Sequence, residues 1–283
     1  MTATIERPSA LGGAIAPIAS GFDRQLSSRV PLRRAASDIA AMAWRHLVKM
    51  FRQPEQFFDV ALQPVVFTLM FTYVFGGAIA GDVASYLPYL LPGIMVQSVV
   101  TTSMVTGAKL REDMDKGVFD RFKSLPMARI APLAGALLAD TLRYVLAALV
   151  TLAVGFAIGY RPEGGVAGVA AASLLVVIVA WAVSWIFALL GVVARSASTV
   201  QGLSMAVLFP LTFISNAYVP VETMPGWLQS FVHVNPISHL ISAARELTMS
   251  GHWGMDVVWS LMGAAGLVAV FAPITLRAYR RRA

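Results

Sequence analysis

Six stretches of this 283-residue chain contain no Asp, Glu, Lys or Arg, and they limit the possible folds more than any other feature. The stretches are 60–80, 83–108, 144–160, 166–194, 196–221 and 257–276. A bilayer core needs about 20 mainly apolar residues for each helix that crosses it. The pattern predicts an all-α integral membrane protein with six transmembrane helices, at about 58–80, 86–108, 132–159, 166–194, 198–220 and 256–277.

Composition supports the membrane interpretation, because 57% of the residues are hydrophobic and only 13% are charged. Soluble domains carry roughly 25% charged residues. A soluble enzyme or a nucleic-acid-binding protein is therefore excluded, despite the net charge of +7. The absence of cysteine removes disulfides and thiolate metal sites. With four scattered histidines, we expect neither a metal site nor catalytic residues.

The basic residues predict the topology. Nineteen of the 22 Lys and Arg lie in segments 1–59, 109–129 and 277–282 or at Arg195, all on one side of the predicted membrane. Loops rich in Lys and Arg stay in the cytoplasm. We expect a multi-pass protein of the bacterial cytoplasmic membrane with both termini in the cytoplasm.

Residues before the first span divide into two parts. Residues 1–34 are predicted to be a flexible cytoplasmic leader, followed by a transmembrane domain over 35–283. Within 36–52, Met42, Leu47 and Met50 share one helical face, while Arg45 and Lys49 lie opposite. This pattern predicts an amphipathic helix in the cytoplasmic interface. The simpler alternative is an anchor that precedes the first span.

The loop between spans two and three contains a second amphipathic segment. Phe119, Phe122 and Leu125 recur at three-residue spacing between Gly117 and Pro126. A short helix would project these apolar side chains from one side, as expected of a segment that enters a groove on a cytoplasmic partner. The alternative is a solvated loop packed on the bundle.

Two short helices are predicted between spans five and six. Asn235 and Pro236 form an N-cap followed by proline at the first helical position. A second short segment begins near residue 223. Both helices are expected to re-enter the outer leaflet, where backbone must be helical or shielded by protein.

Several polar residues fall within the predicted spans. Asp140 and Arg143 lie three positions apart and can pair on one face of span three. The alternatives for this pair are a structural ion pair, a role in coupling and, last, substrate contact. Other polar residues line faces of spans two and five, either along a transport path or in helix packing. They are Gln97, Thr101, Gln201, Ser204, Thr212 and Ser215.

Five segments together resemble a known family. They are KGVFDRFKSLP at 116–126, FPLTFISNAYVP at 209–220, ETMPGWL at 222–228, VNPISHL at 234–240 and the pair Ala244-Arg245. Their order and spacing are similar to the ABC-2 type permeases of ATP-driven exporters, and in particular to the daunorubicin-resistance-like drug permeases.

The resemblance implies a six-helix subunit with re-entrant outer helices that works as a pair, either a homodimer or a related heterodimer, with two ATP-binding-cassette subunits. It also implies that residues 111–125 couple the chain to these ATPases. The coupling residues would be Glu112, Lys116, Gly117, Phe119, Arg121, Phe122 and Leu125. The chain has no G-x-x-x-x-G-K-[ST] phosphate loop. ATP and magnesium are therefore expected in the partner subunit, and this chain is expected to bind no cofactor and to be no enzyme.

The sequence lacks the signals that other classes of transporter and membrane enzyme require. A proton-driven transporter needs carboxylates at midplane depth, a channel needs a filter or pore motif, and a membrane hydrolase needs paired catalytic groups. The expected substrate is a hydrophobic drug, antibiotic or lipid-like molecule moved out of the cell. The alternatives are a polysaccharide or lipid-linked glycan and, less favoured, a six-span transporter outside the ABC class.

Overall fold

The computed structural model describes residues 32–52, 55–118, 127–128 and 130–282, and every regular element among them is helical. The predicted all-α fold is confirmed over these ranges. Residues 1–31, most of the predicted leader, lie outside them.

The helices follow one another with short connections. The first are α1 (Leu32–Phe51), α2 (Glu55–Met70), a π-helical turn (Phe71–Phe75) and α3 (Gly76–Ala80). The middle of the chain forms α4 (Val83–Asp115), α5 (Ala131–Ile158), α6 (Gly165–Val193) and α7 (Ala197–Phe213). After a 3₁₀ turn (Val221–Thr223) come α8 (Gly226–Val234), α9 (Pro236–Ser250) and α10 (Met255–Arg282).

Five helices in the described part of the chain are long and apolar enough to cross a membrane. They are Phe58–Ala80, Val83–Asp115, Ala131–Ile158, Gly165–Val193 and Met255–Arg281, and they match predicted spans one to four and six. The predicted fifth span contains α7, which has 17 residues and ends at Phe213. At 1.5 Å per residue this helix is roughly 26 Å long, somewhat short of a bilayer core of about 30 Å.

The helices α4 and α6 form the centre of the bundle, and most of each is buried. They approach closely because glycines lie where they touch. A Cβ at Gly107 would overlap the Phe187 carbonyl oxygen, and a Cβ at Gly191 would overlap the Gly107 carbonyl oxygen. Small residues let helix backbones come into direct contact in this way.

The apolar face of α1 packs on protein. Met42 and Met50 are buried, and a Cβ at Gly135 of α5 would overlap the Met42 side chain. Trp44, on the border of this face, is exposed. The amphipathic helix is therefore present, with its apolar face covered by α5, and its location in a membrane interface stays a prediction.

The two short helices between α7 and α10 have the predicted start signals. The side chain of Asn235 accepts a hydrogen bond from the Ile237 N–H at 2.9 Å, and Pro236 occupies the first position of α9. The apolar face of α9 is buried, with Leu240 and Ala244 fully inaccessible. Re-entry of α8 and α9 into a membrane stays a prediction.

The bundle has two ends that differ in charge. The basic end contains α1, the last turns of α4, the start of α5 and the end of α10, where Tyr279 packs in one cluster with Leu110 and Leu133. The opposite end contains the turns at 81–82 and 159–164 and the segment 214–254. There the Gly164 N–H donates to the Thr248 carbonyl at 2.9 Å.

Candidate functional site

A polar cavity of about 250 Å³ lies at the basic end, where α1, α4 and α5 meet. We call it the basic-end cavity. It forms because α4 continues beyond its apolar window and carries charged residues alongside α1. Its lining residues are His46, Lys49, Met50, Thr106, Lys109, Leu110, Glu112, Asp113, Lys116, Ala136, Ala139, Asp140 and Arg143.

The last turns of α4 are held by charged contacts. Arg111 pairs with Asp115 on its own helix and donates to the Ala194 carbonyl oxygen at 3.0 Å. Glu112 and Lys116 form a second pair at 3.6 Å with both side chains well exposed. Exposed pairs add little stability, so of these three contacts the Arg111 bond to the Ala194 carbonyl does most to hold this end of α4.

The helix α1 is bonded on both sides of the connection between α4 and α5. Before the connection, Lys49 Nζ lies 3.7 Å from Asp113 Oδ1. After it, the Asp38 carboxylate accepts a hydrogen bond from the Ala128 N–H at 2.9 Å. Together with the close packing at Gly135, these contacts hold α1 against α5, and the Lys49–Asp113 pair connects α1 to the end of α4.

Three of the seven predicted coupling residues lie in the described part of the chain. Glu112 and Lys116 are in the last turns of α4, and Gly117 follows with a φ of +65°, a conformation that favours glycine and ends the helix. The other four, Phe119, Arg121, Phe122 and Leu125, lie outside the described residues. The coupling role of all seven stays a prediction.

Asp140 and Arg143 lie together at the wall of the basic-end cavity. Asp140 Oδ1 is 3.6 Å from Arg143 Nη1, and Asp140 Oδ2 accepts a hydrogen bond from the Thr106 hydroxyl at 2.6 Å. The Thr106 hydroxyl is also 3.0 Å from the Tyr144 hydroxyl. The geometry permits the predicted structural ion pair and equally a role in coupling, because α1 and α4 share the cavity.

His46 of α1 also faces this cavity. Burial lowers the pKa of its imidazole, against the opposing effect of the nearby Asp113 carboxylate. Burial therefore disfavours the charged form of this ring.

The polar residues predicted on spans two and five fall into two groups. Gln97 and Ser204 are buried, and their oxygens have no hydrogen-bond partner among the described residues. Thr101 is half-buried and Gln201 is exposed. By contrast, the Thr212 hydroxyl donates to the Leu208 carbonyl at 2.8 Å and the Ser215 hydroxyl to the Thr212 carbonyl at 2.6 Å.

These two bonds favour a packing role for Thr212 and Ser215, because their hydroxyls donate to backbone carbonyls near the C-terminal end of α7. A transport-path role for all six residues stays a prediction.

Sequence reasoning missed a pair of tyrosines that organises the opposite end. The Tyr86 hydroxyl donates to the Tyr218 carbonyl at 2.6 Å, and the Tyr89 hydroxyl lies within 3.0 Å of the Asn216 and Val219 carbonyls. These bonds satisfy the non-helical backbone after α7. The available signal was their three-residue spacing, which places both on one face of α4, because buried tyrosine hydroxyls need acceptors.

Asn235 and Arg245 complete this arrangement. The Asn235 side-chain amide donates to the Leu211 and Ile214 carbonyls at 2.7 and 2.8 Å. These carbonyls lie at the C-terminal end of α7, where the helix itself offers them no N–H partner. The Arg245 guanidinium donates to the Tyr89 carbonyl at 3.1 Å and to the Asn216 carbonyl at 2.8 Å, and it stacks 3.8 Å from the centre of the Tyr89 ring. Side chains thus replace helical hydrogen bonds from residue 214 onward.

Comparison with known proteins shows the family of the chain. The family model described as ABC-2 type transporter matches residues 37–249. The chain is 45% identical to the daunorubicin resistance ABC transporter permease protein DrrB1 of Streptomyces coeruleorubidus, over 99% of this chain and 97% of that protein.

Two more distant relatives come from Mycobacterium tuberculosis. The probable doxorubicin resistance ABC transporter permease protein DrrC is 26% identical over 77% of this chain and 79% of its own. The doxorubicin resistance ABC transporter permease protein DrrB is 26% identical over 76% of this chain and 74% of its own. The chain is thus a multi-pass membrane protein that belongs to the ABC-2 type transporter family, among the daunorubicin-resistance-like permeases.

Proposed function

We propose that this chain is the membrane subunit of an ATP-driven exporter that moves a hydrophobic drug, antibiotic or lipid-like molecule out of the cell. The observation that carries the proposal is the 45% identity, over nearly the whole length of both chains, to a daunorubicin resistance permease. The long apolar helices and the absence of a phosphate loop fit a permease whose energy comes from another chain.

In this proposal two copies of the permease assemble with two ATPase subunits in the bacterial cytoplasmic membrane. The basic end and both termini lie in the cytoplasm. ATP and magnesium are bound by the ATPase subunits, and this chain binds neither. A sixth crossing is made by α7 together with residues 214–220, whose backbone is satisfied by side chains from α4 and α9.

Force enters at residues 111–125 when the ATPase subunits close. The Lys49–Asp113 pair and the Asp38–Ala128 hydrogen bond then carry the displacement into α1, and the Gly135 contact carries it into α5. Nucleotide thereby biases a two-state equilibrium between inward-open or lateral-open and outward-open arrangements of the two permeases.

Reconstitution tests the function directly. The chain and its ATPase partner, placed in proteoliposomes, are expected to transport daunorubicin only when hydrolysable ATP is present. Omitting the partner is the matched control, and it should remove both transport and ATP hydrolysis. Measurable hydrolysis by the purified chain alone would contradict the assignment. Transport of a lipid-linked glycan without any movement of daunorubicin would favour the alternative substrate class.

A further inference from the structure

We propose that the basic-end cavity binds a phosphate group, supplied by a phospholipid headgroup of the adjoining leaflet. The proposal concerns a binding site and does not depend on which molecule the chain transports.

The first argument is the unused hydrogen-bonding capacity of Arg143. This side chain lines the cavity and is only 4% exposed. Its Nε and Nη1 atoms have no hydrogen-bond partner among the described residues. The nearest carboxylate, Asp140, stands at 3.6 Å and already accepts from Thr106. Because a guanidinium carries five donors and buried donors without acceptors are unfavourable, the site calls for additional acceptor oxygens.

The second argument is the charge of the cavity wall. Four side chains of the lining are cationic, and three are carboxylates. The cationic side chains are Lys49, Lys109, Lys116 and Arg143, and the carboxylates are Glu112, Asp113 and Asp140. Each carboxylate already faces a cation within 4 Å. Because the carboxylates are already engaged, the cationic side chains around this partly enclosed space favour an anionic ligand over a cationic one.

The third argument is the position of the cavity. One wall is α1, whose Trp44 is 69% exposed, and tryptophan side chains settle at the headgroup level of a bilayer. Lys49 and Lys116 at the cavity are more than half exposed, so an incoming headgroup meets them first. With α1 in its predicted position in the cytoplasmic interface, the anion present in quantity at this depth is the lipid phosphate, and Arg and Lys are its usual ligands.

Native mass spectrometry of the purified chain measures the binding. Phosphatidylglycerol is compared with diacylglycerol of the same acyl chains, which lacks the phosphate. Retention of phosphatidylglycerol over diacylglycerol supports the site, and equal retention of both overturns it. Inorganic phosphate is the third probe: binding of the free ion without any retention of phosphatidylglycerol would keep the phosphate site and overturn the headgroup as its source.

Two variants locate the site. Arg143→Gln removes the guanidinium, and Lys109→Gln lowers the positive charge while it leaves the Asp140–Arg143 pair intact, so that it remains informative if the first variant does not fold. Each is expected to bind phosphatidylglycerol about tenfold more weakly, the effect of one charge-assisted hydrogen bond. Arg161→Gln, in the turn at the opposite end, is the matched control and should bind as the native chain does. Native affinity in the folded cavity variants overturns the proposal.

Discussion

At the scale of single residues, Arg245 is the side chain that ties the backbone after α7 to the rest of the opposite end. Its guanidinium joins the Tyr89 carbonyl of α4 to the Asn216 carbonyl, and the structure places no carboxylate of the described residues within ion-pair distance of it. Because the guanidinium is planar and its donors are forked, it can bond two carbonyls and stack on a ring at the same time. A lysine ammonium cannot make this combination of contacts.

The substitution Arg245→Lys tests this role. It keeps the charge but loses at least one buried hydrogen bond and the stacking on Tyr89. We expect the free energy of unfolding to fall by about 2 kcal/mol, seen as a lower midpoint of thermal unfolding in detergent. Arg161→Lys is the control, because Arg161 is exposed and its bonds among the described residues go to the nearby Phe156 and Tyr160 carbonyls. Equal midpoints for the two variants would show that Arg245 is not a structural link.

At the scale of helices, the contact between α4 and α6 depends on backbone proximity at Gly107 and Gly191. We expect Gly107→Ala to lower the free energy of unfolding by about 1–3 kcal/mol, since the added methyl group overlaps the Phe187 carbonyl oxygen and the backbones must separate. The measurement is the unfolding midpoint of the purified protein.

Gly263→Ala in α10 is the matched control for that prediction, because a Cβ there meets no atom within 4 Å. Alanine is the better helix former, so the control should be neutral or slightly more stable. If the two alanine variants unfold alike, the close approach of α4 and α6 is not a source of stability.

The coupling segment gives a second prediction at this scale, drawn from the sequence because Phe119 and Phe122 lie outside the described residues. Phe119→Asp or Phe122→Asp is expected to abolish ATP-driven transport, since a carboxylate in an apolar groove would be desolvated without a partner. Membrane insertion and expression should be unchanged. Substitution of either residue by leucine is the control and should retain transport. Normal transport by both aspartate variants would exclude 111–125 as the coupling element.

Helix positions were predictable to the extent that a local pattern determines them. Charge-free windows predicted five helices that the structure confirms as long and apolar enough to cross a membrane, and the cap at Asn235 predicted the start of α9. The end of α7 at Phe213 was not predicted. Hydropathy continues to residue 221, while the helix stops because Tyr86, Asn235 and Arg245, distant in sequence, offer the backbone other hydrogen bonds. No window along the chain contains that information.

The basic-end cavity, too, could be predicted only where a local sequence pattern determines a contact. The pairing of Asp140 with Arg143 follows from three-residue spacing on one helix. The approach of α1 to both sides of the 116–128 connection depends on tertiary packing at Gly135. Neither the Asp38 bond to Ala128 nor the Lys49 pair with Asp113 has a signature in the sequence, because each joins residues more than 60 positions apart.

At the scale of the whole molecule, function depends on which end of the bundle faces the cytoplasm. The chain contains no cysteine, so a single introduced thiol reports its own location without background. Lys116→Cys marks the basic end, and Glu163→Cys marks the turn at the opposite end, and both native side chains are exposed. We expect a membrane-impermeant maleimide to label Glu163→Cys on intact cells and Lys116→Cys only after permeabilisation.

The two variants control each other, because each must be labelled under one condition and thereby proves that its thiol is accessible. Excess Lys and Arg on a connecting segment opposes its export, and the excess is concentrated at the end that carries α1 and the 109–129 segment. An ATPase in the cytoplasm can act on residues 111–125 only from that side. Labelling of Lys116→Cys on intact cells would place the segment outside, where no ATP-driven subunit could reach it, and the coupling mechanism would fail with the topology.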